Sequence, residues 1–177
     1  MADRLLKSVF IGEFITGSGE CTLAVHGLGS CAAIILFDPA RGLGGLAHVL
    51  LPGRRPAGDR SDELPAKFGE NALEALQKGL LELGASPEDL RAALLGGAHL
   101  FQSEMDVDRG VGHRNTDALR GLLAEKGIQL VADETGGEQG RTVFLDLPEC
   151  VLRVRTLRSG WHEIPLKDAT HRRRSPG

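Results

Sequence analysis

A cysteine and a histidine, Cys31 and His48, are the two side chains whose types and spacing could do chemistry together. Cys31 closes the stretch Gly27-Leu28-Gly29-Ser30-Cys31, and the apolar run 32–37 follows it. Asp38-Pro39 then opens a turn, because proline fixes φ and suits the second position of a reverse turn. Gly42, Gly44 and Gly45 add permissive backbone, and Leu46-Ala47-His48-Val49-Leu50-Leu51 returns. If 32–37 and 46–51 pair as a hairpin, Cys31 lies opposite His48 or within a residue or two of it. Facing residues of an antiparallel pair share a side of the sheet, with Cβ atoms roughly 5 Å apart. A thiol and an imidazole at that range make a nucleophile and its base. The thiol needs partial ionisation near neutral pH, from a nearby cation or from oriented backbone N–H groups. The Gly29-Ser30-Cys31 turn can offer such N–H groups, which would also hold an oxyanion.

Zinc is the rival chemistry, since Cys21, His26, Cys31 and His48 are all ligand types. The cysteines are ten residues apart through extended chain, and neither a Cys-x-x-Cys nor a His-x-x-x-His pair occurs. No metal site is expected. Gly110-Val111-Gly112 and Gly136-Gly137 form neither a Walker sequence nor a dinucleotide fingerprint, so no nucleotide or other cofactor is expected. Cys21 and Cys150 read as inert buried thiols.

The elements that must position the pair follow from periodicity. Strands are expected at 8–15 (with a central glycine), 21–25, 32–37, 46–51, 90–95 and 128–132, and a hairpin at 141–147 and 150–157. Leu64, Phe68, Ala72, Leu76, Leu80 and Leu83 make a helical stripe, capped by Ser61 with Pro65 in its first turn and ended at Gly84. Residues 102–113 read as a loop. Asn115 or Thr116 caps a second helix whose apolar face is Leu119, Leu122 and Leu123. Strands that do not alternate strictly with helices favour a layered α+β fold over a doubly wound one.

The 177 residues fit one domain, taken as 1–170, with 171–177 a short basic tail expected to be disordered. Net charge is −3, aromatics make up 4% and tyrosine is absent, which argues against nucleic-acid binding. No run of about 18 apolar residues predicts a membrane span, and none suggests a signal peptide. Three cysteines without a secretory signal fit free thiols in the cytoplasm. The basic group Arg54-Arg55-Arg60 reads as a solvated loop, or as a patch that steers the protein toward an acidic helix.

Several ordered motifs together resemble the CheD chemoreceptor glutamine deamidases. They are Gly-Leu-Gly-Ser-Cys at 27–31, Asp38-Pro39, Gly-Gly-Leu-Ala-His-Val-Leu-Leu-Pro at 44–52 and Gly-Gly-Ala-His-Leu-Phe at 96–101. Val-Gly-His-Arg-Asn at 111–115 and residues 127–137 complete the set, which spans roughly 8–157. The resemblance implies a protein-glutamine deamidase that converts specific glutamines of methyl-accepting chemotaxis receptors to glutamate. It implies Cys31 as nucleophile, His48 as base and a CheC-type phosphatase as a second partner. It implies a β-sandwich of mixed sheets flanked by helices, like the catalytic domain of cytotoxic necrotizing factor. One departure stands out. The family commonly carries a threonine shortly before Gly-Ser-Cys, where this chain has Val25 and His26. Ser30, Gly29, Thr22 and His26 are therefore the candidates for a third role or for oxyanion support. The same departure leaves open a second reading, a CheD-like binding module with weak or no catalysis that modulates a chemotaxis phosphatase or receptor.

Overall fold

The computed structural model describes residues 4–100 and 110–167. The expected tail at 171–177 and most of the expected loop at 102–113 lie outside them. Among the described residues, ten strands and two α-helices make an α+β fold. The strands are β1 (Leu5–Ser8), β2 (Phe14–Ser18), β3 (Cys21–Leu28), β4 (Ala32–Asp38), β5 (Leu43–Val49), β6 (Arg91–Gly96), β7 (Gln129–Thr135), β8 (Arg141–Asp146), β9 (Val151–Thr156) and β10 (Gly160–Pro165). The helices are α1 (Gly69–Glu82) and α2 (Val111–Glu125). One sheet runs β1-β3-β8-β9-β10 and the other β2-β5-β4-β6-β7. Both are mixed, with one parallel pair each: β1 with β3, and β6 with β7.

β4 explains the layering. All seven of its residues are buried, because successive side chains point to opposite faces and both faces are covered. Ala33, Ile35 and Phe37 face the first sheet, where they meet Leu23, Val143, Leu145 and Leu152. Ala32, Ile34 and Leu36 face α1 and α2, meeting Leu73, Leu76 and Leu119. Each large side chain buried this way stabilises the fold by about 1.5–3 kcal/mol. The apolar run without alternation is thus the signature of a strand between two layers. The helices cover only the second sheet; among the described residues, none covers the outer face of the first.

The structure differs from the sequence expectation in four places. The stretch 8–15 is not one strand: the chain leaves the first sheet after β1 and enters the second at β2, turning at Gly12 with φ +81°. α1 starts at Gly69 and not after Ser61. Residues before it form turns pinned to neighbouring strands and loops: the Leu64 N–H donates to the Ser61 carbonyl at 3.0 Å, the Ala66 N–H to the Gly12 carbonyl at 2.7 Å, and the Gly69 N–H to the Leu51 carbonyl at 3.0 Å. α2 starts at Val111, so Asn115 sits inside the helix and not at its cap. There it is fully buried and donates Nδ2 to the Leu50 carbonyl at 2.9 Å, tethering the exit of β5. β10, with its half-exposed pattern, was not expected at all.

Candidate functional site

β4 and β5 form the expected hairpin, with Ala33 opposite His48 and Ala32 opposite Val49. Asp38 sets the turn. Its buried carboxylate accepts from the Ala40 and Arg41 N–H groups at 3.1 Å and from the Arg41 guanidinium at 2.8 Å. It also accepts from the Ser86 N–H at 3.2 Å. With that register Cys31, one residue before β4, is offset by two from His48's partner Ala33. The two are diagonal neighbours on one side of the sheet, where such pairs lie about 7–8 Å apart at Cα. That side is the layer between the sheets: Ala33 and Leu46 belong to its core, and Cys31 packs against it. Cys31 is half-buried and His48 is 4% exposed.

Backbone bonds fix both residues. The His48 N–H donates to the Glu13 carbonyl at 3.0 Å, and its carbonyl accepts from the Gly12 N–H at 2.8 Å. On the other side, a strap follows β6. The Gly97 N–H donates to the Cys31 carbonyl at 2.8 Å, and the Ala98 N–H to the Gly29 carbonyl at 2.9 Å. The strap is tied in turn to residues 136–137: the Gly136 N–H donates to the Gly96 carbonyl, and the His99 N–H to the Gly137 carbonyl. Gly96 has φ +91°, and a Cβ there would collide with the Cys31 carbonyl and Leu28. Only glycine allows this approach. Gly29 and Cys31 thereby have their carbonyls engaged. Among the described residues, the N–H groups of Ser30 and Cys31 donate to no backbone carbonyl.

Burial pushes the Cys31 thiol up from its ordinary value, opposed by its own backbone N–H. Burial also pushes the His48 imidazole down, opposed by the nearby Val9 backbone. At rest the pair is therefore a thiol and a neutral imidazole. Neither ring nitrogen of His48 has a hydrogen-bond partner of ordinary geometry among the described residues. The Val9 carbonyl is thus a weak neighbour and not a fixed acceptor. A buried polar group without a partner costs about 1–3 kcal/mol and calls for a functional reason. Cys21 and Cys150 are buried free thiols, the latter pushed up to about 11 by burial.

The remaining candidates fall in different places. Ser30 is exposed and lines a cavity of about 220 Å³ with Ala98, His99, Leu100 and Gly110. Gly29 contributes its carbonyl to the strap. Thr22 pairs with Leu6 and Asp146 at the far end of β3, and its neighbours Cys21 and Leu23 face the inter-sheet core. It therefore points the other way and does not reach the pair. His26 is exposed on the same outer side and sets its ring edge-on against Phe144, with centroids 5.5 Å apart. Val25 faces the inter-sheet layer that holds His48, but brings no polar atom. Among the described residues, no three histidine, cysteine or acidic side chains are grouped to hold a metal ion. Arg54 and Arg55 are engaged internally, with Glu70 and Glu74 and with Asp62.

Sequence reasoning gave no role to Gly12, Glu13, Gly96 or Gly97. The Gly-Gly pair after an apolar strand was a readable signal for the last two. Gly12 and Glu13 hold His48 through their backbone, and the Glu13 carboxylate also accepts from the Phe10 N–H at 3.1 Å.

The sequence profile described as CheD chemotactic sensory transduction matches residues 50–156. The chain belongs to the CheD family. A Thermococcus kodakarensis protein named "Probable chemoreceptor glutamine deamidase CheD" is 40% identical over 152 residues, covering 86% of this chain and 93% of that one. A Pyrococcus abyssi protein of the same name is 41% identical, with coverage of 86% and 92%. A Geobacter metallireducens protein, "Probable chemoreceptor glutamine deamidase CheD 2", is 40% identical, covering 85% and 93%. Among solved structures, Bacillus licheniformis YfiH aligns over 69% of this chain and 49% of its own, at 18% identity and a TM-score of 0.41. A likeness of that degree carries no weight for function. Among the described residues, no helix is long and apolar enough to cross a membrane.

Proposed function

We propose that this single-domain protein is a cysteine-dependent protein-glutamine deamidase that acts on the cytoplasmic domain of methyl-accepting chemotaxis receptors. The observation that carries this is the hairpin register, which sets Cys31 diagonal to the buried His48, whose ring has no partner of ordinary geometry among the described residues, in one layer. His48 in its neutral form takes the Cys31 proton, and the thiolate attacks the carbon of the glutamine carboxamide. The N–H groups of Ser30 and Cys31 receive the developing oxyanion. The C–N bond breaks, and ammonia leaves with the proton from His48. Water then attacks the thioester, giving its proton to the same imidazole; the C–S bond breaks to release glutamate and the Cys31 thiol. Regulation of a CheC-type phosphatase and a likeness to the cytotoxic necrotizing factor catalytic domain belong to the same proposal, resting on the family resemblance.

The test is peptide mass spectrometry of a chemoreceptor cytoplasmic fragment after incubation with the protein and with its Cys31→Ala variant. Amide-to-acid conversion at defined glutamines, lost in the variant, is the expected result. Conversion that persists without Cys31 refutes the assignment. The His48 ring, which has no hydrogen-bond partner of ordinary geometry among the described residues, and the apolar Val25 in the same inter-sheet layer favour one other reading, a binding module with weak or no catalysis. That reading wins if the receptor is never converted while the protein still raises phosphatase activity.

A further inference from the structure

We infer that Arg141 is a positioning residue for the proposed reaction: its guanidinium holds a glycine turn that, through the strap, aims the Ser30 N–H at the developing oxyanion. The inference rests on the proposed deamidase function. Arg141 opens β8, and its backbone pairs with Leu28, three residues before Cys31. Its side chain turns back along the chain. Nη2 donates to the Gly136 carbonyl at 2.9 Å and Nη1 to the Gln139 carbonyl at 3.3 Å. Burial pulls this guanidinium below its ordinary value, opposed by the charge of Glu134. Taking a cation out of water to hold main-chain carbonyls is costly, so what the turn carries matters.

The turn carries the strap. Gly136 and Gly137 both take left-handed backbone angles, φ +79° and +73°, which glycine alone adopts readily in succession. So shaped, Gly136 donates its N–H to the Gly96 carbonyl at 2.8 Å, and the Gly137 carbonyl accepts from the His99 N–H at 2.7 Å. These bonds hold residues 96–99 from one side. On the other side the strap reaches the nucleophile loop, through Ala98 to the Gly29 carbonyl and Gly97 to the Cys31 carbonyl. The last link is covalent. The Gly29 carbonyl and the Ser30 N–H belong to one planar trans peptide unit, so they point in opposite directions. Fixing that carbonyl on Ala98 therefore fixes the Ser30 N–H, directed away from the strap. Hydrogen bonds in series strengthen one another, and this series starts from the charge on Arg141. A catalytic group misplaced by about 1 Å loses on the order of a hundredfold in rate.

Arg141→Met keeps the apolar stem and removes the donors. Arg155→Met is the control. It removes a second charge from the hollow that Arg141 also lines, and among the described residues Arg155 makes no bond to the turn or the strap. Conversion of a chemoreceptor cytoplasmic fragment is followed by mass spectrometry. Arg141→Met should lower kcat about tenfold or more and leave KM within about twofold, while Arg155→Met behaves as wild type. Arg141→Lys, which cannot span two carbonyls, should lose about threefold, and it serves the same comparison if Arg141→Met does not fold. Alkylation of Cys31 by iodoacetamide forms no oxyanion, so its rate should stay within about twofold in both Arg141 variants. Amide exchange at Gly97 and Ala98 should quicken about tenfold in Arg141→Met. A wild-type kcat in the Arg141 variants, or a raised KM at unchanged kcat, overturns the inference and leaves the deamidase standing. So does alkylation that slows in step with kcat, which marks a general loss of structure. Unaltered exchange at Gly97 and Ala98 overturns the tether itself. A wild-type protein that is alkylated at Cys31 yet converts no glutamine overturns the deamidase reading, and the inference with it.

Discussion

Replacing His48 by leucine should make the protein more stable and abolish its activity. The imidazole is 4% exposed and neither nitrogen has a partner among the described residues. Leucine is of similar size and has no polar atom to strand. Removing an unsatisfied buried polar group returns about 1–3 kcal/mol. For a domain of this size, 2 kcal/mol is about 4–8 °C of melting temperature. The gain should also depend on pH. Burial holds the folded imidazole below its ordinary 6.5, so the unfolded chain binds more protons as pH falls through that value. Wild-type stability therefore declines below about pH 6.5, and the leucine variant escapes the loss. The gap between the two melting curves should widen from pH 7 to pH 5. Calorimetry at several pH values, with a deamidation assay beside it, measures both effects. A variant that melts below wild type, or that still deamidates, refutes the reasoning: the ring would then have been satisfied, or not needed.

Two further substitutions probe the frame around the pair. Gly96→Ala forces a Cβ against the Cys31 carbonyl at a backbone angle of +91°. It should cost about 2 kcal/mol or more and change the rate at which iodoacetamide alkylates Cys31; an unaltered melt and alkylation rate would show that the strap is not tight. Asp38→Asn loses the charge that binds Arg41 and the 38–41 turn. Burial raises that carboxyl, but the Arg41 and Ser86 bonds outweigh it and hold it below its ordinary 3.8. The variant should be about 2 kcal/mol less stable at pH 7. The deficit should close as pH falls below about 3.8, as the wild-type carboxyl protonates, and a deficit unchanged at pH 2 would contradict this.

Much of the site could be read from local sequence because it is built on a hairpin. The Asp38-Pro39 turn and the glycines at 42–45 limit the register to a small range, and the observed offset of two lies inside it. What could not be read depends on which layer a segment joins. Residues 8–15 alternate well enough for one strand, but the crossing at Gly12 moves the second half to the other sheet. Asn115 has the residue type of a cap, yet the helix begins four residues earlier and the side chain turns inward to Leu50. β10 alternates exposed Trp161, Glu163 and Pro165 with half-buried Gly160, His162 and Ile164, a pattern that a sheet exposed on one side produces and that the residue types alone do not display. The glycine strap at 96–97 was visible as composition, but its use came from a partner, the Cys31 carbonyl, sixty-odd residues away in sequence.

The sheet order also implies a sequence of assembly. The β4–β5 hairpin is local, so nascent chain can bring Cys31 and His48 together early, with both still in water. The roof over them depends on β3 meeting β8, residue 22 with residue 146, a contact of very high sequence separation and thus a slow one to close. Until it closes, the thiol and the imidazole titrate as they would in a peptide. The altered ionisation of the finished pair is therefore a late event, acquired only when a distant part of the chain has been made and docked. A partly synthesised or truncated chain would hold both residues without the environment that tunes them.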